Sequence, residues 1–82
     1  MSQILIDVRT KEEYKSKHAE GAINIPIEQI IKGDLGEISK IKKDEDIGCY
    51  CMAGGRAGVA TKILKGLGYV NAKNLGGLKD IN

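Results

Sequence analysis

Short β-branched runs alternating with stretches of helical spacing predict an α/β chain, a mostly parallel central sheet flanked by helices. Three observations carry this. Ile4-Leu5-Ile6-Asp7-Val8 and Ile47-Gly48-Cys49-Tyr50 are largely apolar runs of the kind a strand buried on both faces requires. A capping box at Thr10 follows the first run, and after the second Val59, Ala60, Ile63, Leu64 and Leu67 recur at helical spacing. Strands separated by helices join through right-handed crossovers, which makes neighbouring strands parallel.

The elements follow in order. Ile4–Val8 predicts the first strand, and Thr10-Lys11-Glu12-Glu13 predicts a capping box, with Thr10 capping and Glu13 reaching back. A short helix then runs to about Lys17. Gly21 breaks it, and Ala22-Ile23-Asn24-Ile25 predicts a second strand stopped by Pro26. Ile27, Ile30 and Ile31 carry helical spacing, and Leu35, Ile38 and Ile41 suggest a further helical turn or two. Lys42–Asp46 is a solvated charged connection before the third strand, Ile47–Tyr50, which ends at Cys51. Val59, Ala60, Ile63, Leu64 and Leu67 predict the inner face of a longer helix closed by Gly68. A last strand is expected over Val70–Leu75, with Gly76-Gly77 turning the chain again.

The chain has 82 residues, which predicts one domain over 1–82 with a small aliphatic core: twelve Ile and six Leu stand against three Tyr and no Phe or Trp. Few aromatics and a net charge of +2, spread along the chain, argue against nucleic-acid binding, which needs stacking platforms or a basic face. No segment approaches the roughly 18 apolar residues of a membrane span. Met1-Ser2-Gln3 leads directly into a short apolar run unlike a leader, so a cytoplasmic protein is expected. Cys49 and Cys51 are too close for a disulfide scaffold, and with His18 the single histidine, neither a metal nor a cofactor is implied.

The two cysteines must then be packing residues, reactive residues, or one of each. Cys49 lies inside a predicted buried strand, where packing is the favoured reading. Cys51 lies where a strand passes through a loop into a helix, the place where ligands collect in open α/β sheets. Gly54 and Gly55 can take positive φ and curl Met52-Ala53-Gly54-Gly55 so that N–H groups point inward. Such donors, backed by a helix N-terminus, favour an anion and lower a thiol pKa. Arg56 adds a permanent positive charge with a planar donor fork. Cys51 and Arg56 are therefore the candidate catalytic residues, with Met52, Ala53, Gly54, Gly55 and Ala57 as the binding loop. Four residues separate Cys51 from Arg56, whereas tyrosine-phosphatase-like loops resemble Cys-x5-Arg; Ala57 stands where that arginine would fall. His18 is read as a scaffold residue, because a thiolate needs no base.

These segments resemble the rhodanese family, in particular its short single-domain members. Leu5-Ile6-Asp7-Val8-Arg9 is similar to the family's opening strand with its Asp-Val-Arg signature. Glu13-Tyr14 and His18-Ala19-Glu20-Gly21-Ala22-Ile23-Asn24-Ile25-Pro26 are similar to its second segment. Tyr50-Cys51-Met52-Ala53-Gly54-Gly55-Arg56-Ala57 resembles its six-residue active loop, and Leu67-Gly68-Tyr69 with Asn74-Leu75-Gly76-Gly77 resembles its ending. The family usually has a strand and helix before the first of these motifs and a helix after the last, so a compact or truncated form is expected.

The resemblance implies a sulfurtransferase. Cys51 would take a sulfane sulfur from thiosulfate or another persulfide donor, then pass it to cyanide, a thiol or a partner protein. Asp7 and Arg9 would brace the loop. The expected partners are a small anionic sulfur donor and a thiol or protein acceptor. Two alternatives stay open: a sulfur-relay or regulatory binding module with little small-molecule turnover, and a phosphatase or arsenate-reducing relative. The first gains from the loop's single cation, where thiosulfate-preferring members often carry more.

Overall fold

In the computed structural model, residues 3–81 are described; Met1, Ser2 and Asn82 lie outside them, and with them the Met1-Ser2 start read above as unlike a leader. Strands β1 (Ile4–Asp7), β2 (Ile23–Asn24), β3 (Ile47–Cys51) and β4 (Ala72–Gly77) form one sheet in the order β2-β1-β3-β4. Every neighbouring pair is parallel. Helices α1 (Lys11–Ser16), α2 (Ile27–Ile31) and α3 (Gly55–Gly66) connect them, with 3-10 turns at Gly36–Lys40 and Leu78–Asp80. Among the described residues no helix is long and apolar enough to cross a membrane.

The strand order decides which face each helix covers. The chain leaves β1 toward β2 in one direction, then runs from β2 past β1 to β3 and on to β4 in the other. With right-handed crossovers, this reversal assigns α1 to one face and α2 and α3 to the opposite face. The contacts agree. Ile6, Val8, Ile47, Cys49, Cys51 and Ala72 meet Ile30, Ile38, Ala57, Ala60, Leu64 and Tyr69 in one buried cluster. On the other face the Tyr50 hydroxyl accepts a hydrogen bond from the Ala19 N–H, just after α1. The reversal falls between β1 and β3, and it opens a crevice at the carboxyl ends of those two strands.

Local chemistry explains the element boundaries. Thr10 and Glu13 make the predicted capping box, each side chain accepting from the other's backbone N–H at 3.1 and 3.0 Å. At the other end of the chain, Gly68 has φ 102° and donates to the Lys65 carbonyl, while Tyr69 N–H returns to the Leu64 carbonyl. This pair of bonds is a Schellman closure of α3.

Three expectations are corrected. The buried stripe of α3 is Ala57, Ala60 and Leu64, spaced to face the sheet, while Val59 and Leu67 are each 46% exposed. Ile63 only flanks the core. The last strand starts at Ala72 rather than Val70, because the Schellman closure holds Tyr69 back and leaves Val70 in the turn. It also continues through Gly76-Gly77, which therefore end a strand and do not begin a turn. A Cβ on Gly77 would lie 2.1 Å from the Met52 carbonyl oxygen, so glycine lets β4 pass close under the Cys51 loop. The sheet accommodates this passage with a register shift between Cys49 and Cys51.

Candidate active site

The last residue of β3 is Cys51, and α3 begins four residues later at Gly55. So abrupt a turn requires Gly54, whose φ of 97° lies in the left-handed region that side chains avoid. Gly55 does not share this property: it has no positive φ and is the first residue of the helix. Within the turn, Cys51 Sγ accepts hydrogen bonds from Gly54 N–H at 3.0 Å and Ala57 N–H at 3.4 Å. Ala57 is the third residue of α3, and its N–H is one of the donors that a helix start leaves unpaired. The sulfur thus does the work of a helix cap. It also lies at the positive end of the helix dipole.

The electrostatic balance at Cys51 has two opposing parts. Burial pushes the thiol up, since Cys51 is only 1% exposed and desolvation disfavours the charged form. Backbone N–H groups of Ala57, Ala53, Gly54 and Arg56 outweigh it and bring the pKa below its ordinary value. Cys49, two residues earlier on the same side of the strand, has burial without the amides and is pushed up to about 11. Met52, Ala53 and Gly55 form the exposed rim of the loop, and Ala57 is buried beneath it. A cleft of about 700 Å³ opens beside Met52, with Leu5, Leu78 and Ile81 along it and Lys17, His18 and Lys79 among its polar lining.

Arg56, expected to supply the loop's positive charge, is paired with a residue of another element. Its guanidinium donates to both Glu13 carboxylate oxygens, Nη1 to Oε1 at 2.8 Å and Nη2 to Oε2 at 3.2 Å. The anion it faces is therefore a side chain of α1. This pairing and the Thr10 amide hold Glu13 down at about 2, and Glu13 together with the Cys51 charge raises Arg56.

Asp7 and Arg9 lie at the end of β1, both buried. Asp7 accepts from the Arg9 backbone N–H, from Arg9 Nε and Nη2, and from the Tyr50 hydroxyl at 2.8 Å. Arg9 Nη2 reaches on to the Lys17 carbonyl. This network ties β1, the residue before Cys51, and the α1–β2 connection into one unit. His18 stacks on Tyr14 with ring centroids 3.7 Å apart, and its Nδ1 donates to the Tyr14 carbonyl.

The contacts that three residues make around the loop were not legible in the sequence. Glu13 was legible as a capping residue, not as the partner of Arg56. Tyr50 was legible as the residue leading into the loop, not as the partner of Asp7 and Ala19. Asn74 donates from Nδ2 to the Gly54 carbonyl at 3.1 Å and receives the Gly76 N–H, clamping the start of α3 to β4.

Comparison with known proteins agrees with this architecture. The family model for the Rhodanese-like domain matches residues 1–82. Thiosulfate sulfurtransferase PspE of Escherichia coli is 41% identical over 76 residues, covering 93% of this chain and 71% of that protein. Protein HIGH ARSENIC CONTENT 1, mitochondrial, of Arabidopsis thaliana is 39% identical over 82 residues, covering 88% of this chain; the match spans only 47% of that longer protein. A solved structure described as a rhodanese with anions from E. coli superposes with a TM-score of 0.81 at 38% identity, covering 98% of this chain and 92% of that one. With the whole chain matched and the parallel sheet shared, this protein belongs to the rhodanese-like domain family.

Proposed function

We propose that this chain is a sulfurtransferase of the thiosulfate sulfurtransferase kind, carrying sulfane sulfur as a persulfide on Cys51. The observation that carries the reading is the Cys51 sulfur held by Gly54 and Ala57 N–H groups at the start of α3, with its pKa drawn down. A thiolate so prepared attacks the outer sulfur of thiosulfate. The new S–S bond forms as the old one breaks, and sulfite leaves with the electron pair. The persulfide's outer sulfur keeps a negative charge, which the loop amides stabilise. An acceptor nucleophile, cyanide or a thiolate, then attacks that sulfur and Cys51 departs as thiolate.

In this reading Cys51 and Arg56 do the chemistry, and Met52, Ala53, Gly54, Gly55 and Ala57 form the cradle. Asp7 and Arg9 brace it through Tyr50. The names of the relatives support the reaction class, and the whole of residues 1–82 acts as one rhodanese-like domain. A cytoplasmic location suits its two unpaired cysteines, which a reducing compartment preserves.

Mass spectrometry of the reduced protein after thiosulfate treatment is expected to find one added sulfur atom on Cys51, and none in Cys51→Ser. If no sulfane-sulfur donor produces the adduct, the reading is wrong. A second reading, a relay that passes sulfur only to a protein, draws support from Arg56, the loop's one cation, being already paired with Glu13. A stable persulfide with poor cyanide turnover would favour it. Aryl phosphate hydrolysis lost in Cys51→Ser would instead favour a phosphatase.

A further inference from the structure

We propose that Glu13 is the residue that positions Arg56 and sets the net charge of the Cys51 site. It acts by anchoring the guanidinium from a helix on the opposite face of the sheet and offsetting its charge. This rests on the sulfur-transfer reading of the site.

The geometry is specific. Glu13 comes from α1 and Arg56 from α3, 43 residues apart, and the ion pair bridges helices assigned to opposite faces of the sheet. Glu13 is itself held: its Oε1 accepts from Thr10 N–H at 3.0 Å and Thr10 Oγ1 at 3.2 Å as well as from Arg56. The capping box therefore fixes the carboxylate, and the carboxylate fixes the guanidinium. The first turn of α3 contains no acidic residue of its own, and Arg56 there opposes the helix dipole. Glu13 supplies the missing negative charge from another element. Of the five N–H donors of a guanidinium, two are engaged by Glu13. The remaining donors stay available to an anionic substrate, at reduced net charge.

The substrate consequence concerns charge. A dianionic donor such as thiosulfate meets an ion pair in place of a bare cation, while a neutral reagent is indifferent to the difference. Glu13 thus moderates the preference for small dianions, leaving room for donors and acceptors of lower charge.

The test compares Glu13→Gln with Glu12→Gln, an equal change in net charge at an exposed neighbouring position. Gln at position 13 keeps one acceptor oxygen for the Thr10 N–H and Arg56 Nη1, and removes the charge together with the acceptor of Arg56 Nη2. The first readout is the rate of Cys51 alkylation by iodoacetate relative to iodoacetamide. This ratio is expected to rise about three- to tenfold in Glu13→Gln, the size of one unit charge acting near a protein surface. Glu12→Gln and the charge-conserving Glu13→Asp are expected to keep the ratio of the parent protein.

The second readout is kinetic. In Glu13→Gln the KM for thiosulfate falls by a similar factor with little change in kcat. In Glu13→Ala, which also removes the anchor, kcat falls. An unchanged alkylation ratio in folded Glu13→Gln, or an equal rise in Glu12→Gln, overturns the assignment. Alkylation does not require sulfur transfer. A raised ratio without any persulfide on Cys51 would therefore uphold the role of Glu13 and reject the sulfurtransferase reading.

Discussion

Cys49 and Cys51 sit two residues apart on one strand, both almost fully buried, and they differ in what touches the sulfur. Cys49 is desolvated and has one hydroxyl, from Thr61, to ease it; Cys51 has a ring of backbone amides. Alkylation by iodoacetamide as a function of pH is therefore expected to give a Cys51 inflection below the free-thiol value of about 8.5. Cys49 stays unlabelled until the protein unfolds, and peptide mapping separates the two. Glu13 gives a second titration. Its folded pKa of about 2 lies below the ordinary value of 4.5, so it contributes stability that is present above 4.5 and lost as pH falls through about 2. The ion pair is about one-third exposed, at 36% and 30% for its two side chains. Solvent screening then limits the effect to at most about 1 kcal/mol. Urea unfolding of the parent protein and of Glu13→Gln between pH 5 and about 2 should show the difference between them closing over that window.

At the scale of elements, the strand–loop–helix unit around Cys51 depends on its neighbours β4 and α1. Gly77 gives the loop room to lie against β4, and an added Cβ would fall 2.1 Å from the Met52 carbonyl oxygen. Gly77→Ala must displace backbone, not a flexible side chain. It is expected to cost about 1–3 kcal/mol and to lower the rate of Cys51 persulfide formation about tenfold or more, the usual consequence of a displacement near 1 Å at a reacting centre. Urea denaturation and single-turnover mass spectrometry measure the two effects separately. Thr10→Ala breaks the capping box and costs about 1 kcal/mol. The Glu13 carboxylate keeps the residue-10 backbone N–H and both Arg56 bonds, so the iodoacetate-to-iodoacetamide ratio should stay close to that of the parent protein.

For the molecule as a whole, the buried Asp7–Arg9 pair is the main electrostatic commitment. Both groups are enclosed, at 0% and 3% side-chain exposure, and the Tyr50 hydroxyl and Lys17 carbonyl complete their bonding. Replacing such a pair with apolar residues is often neutral, but removing one partner leaves a buried charge uncompensated. Asp7→Ala is expected to cost about 3–5 kcal/mol. Against a typical margin of about 5–15 kcal/mol, the urea midpoint should fall steeply. Tyr50→Phe leaves the Ala19 N–H without its acceptor and should cost about 1–3 kcal/mol. The smaller loss would identify the Tyr50 hydroxyl as a link in the network and Asp7 as its centre.

What could be read from the residues in order was whatever is local. The strands at Ile4 and Ile47, the capping box at Thr10, the glycine closing α3 and the run from Cys51 to Arg56 each depend on residues a few positions apart, so spacing and side-chain chemistry suffice. The inner face of α3 was drawn too wide, because periodicity marks apolar positions without saying how many the sheet can cover; Val59 and Leu67 stayed outside. The extent of β4 was hidden for a similar reason. Gly76-Gly77 reads as a turn by composition and becomes a strand only because β3 and the Met52 carbonyl lie alongside. The partners of the loop were settled by the fold alone. Glu13 and Asn74 lie far from Cys51 in the chain, and Tyr50, though next to it, bonds to Asp7 and Ala19 across the fold, so local spacing shows none of these contacts. A reversal of strand order between β1 and β3 brings these residues to the carboxyl end of the sheet, where Glu13 meets the Arg56 charge.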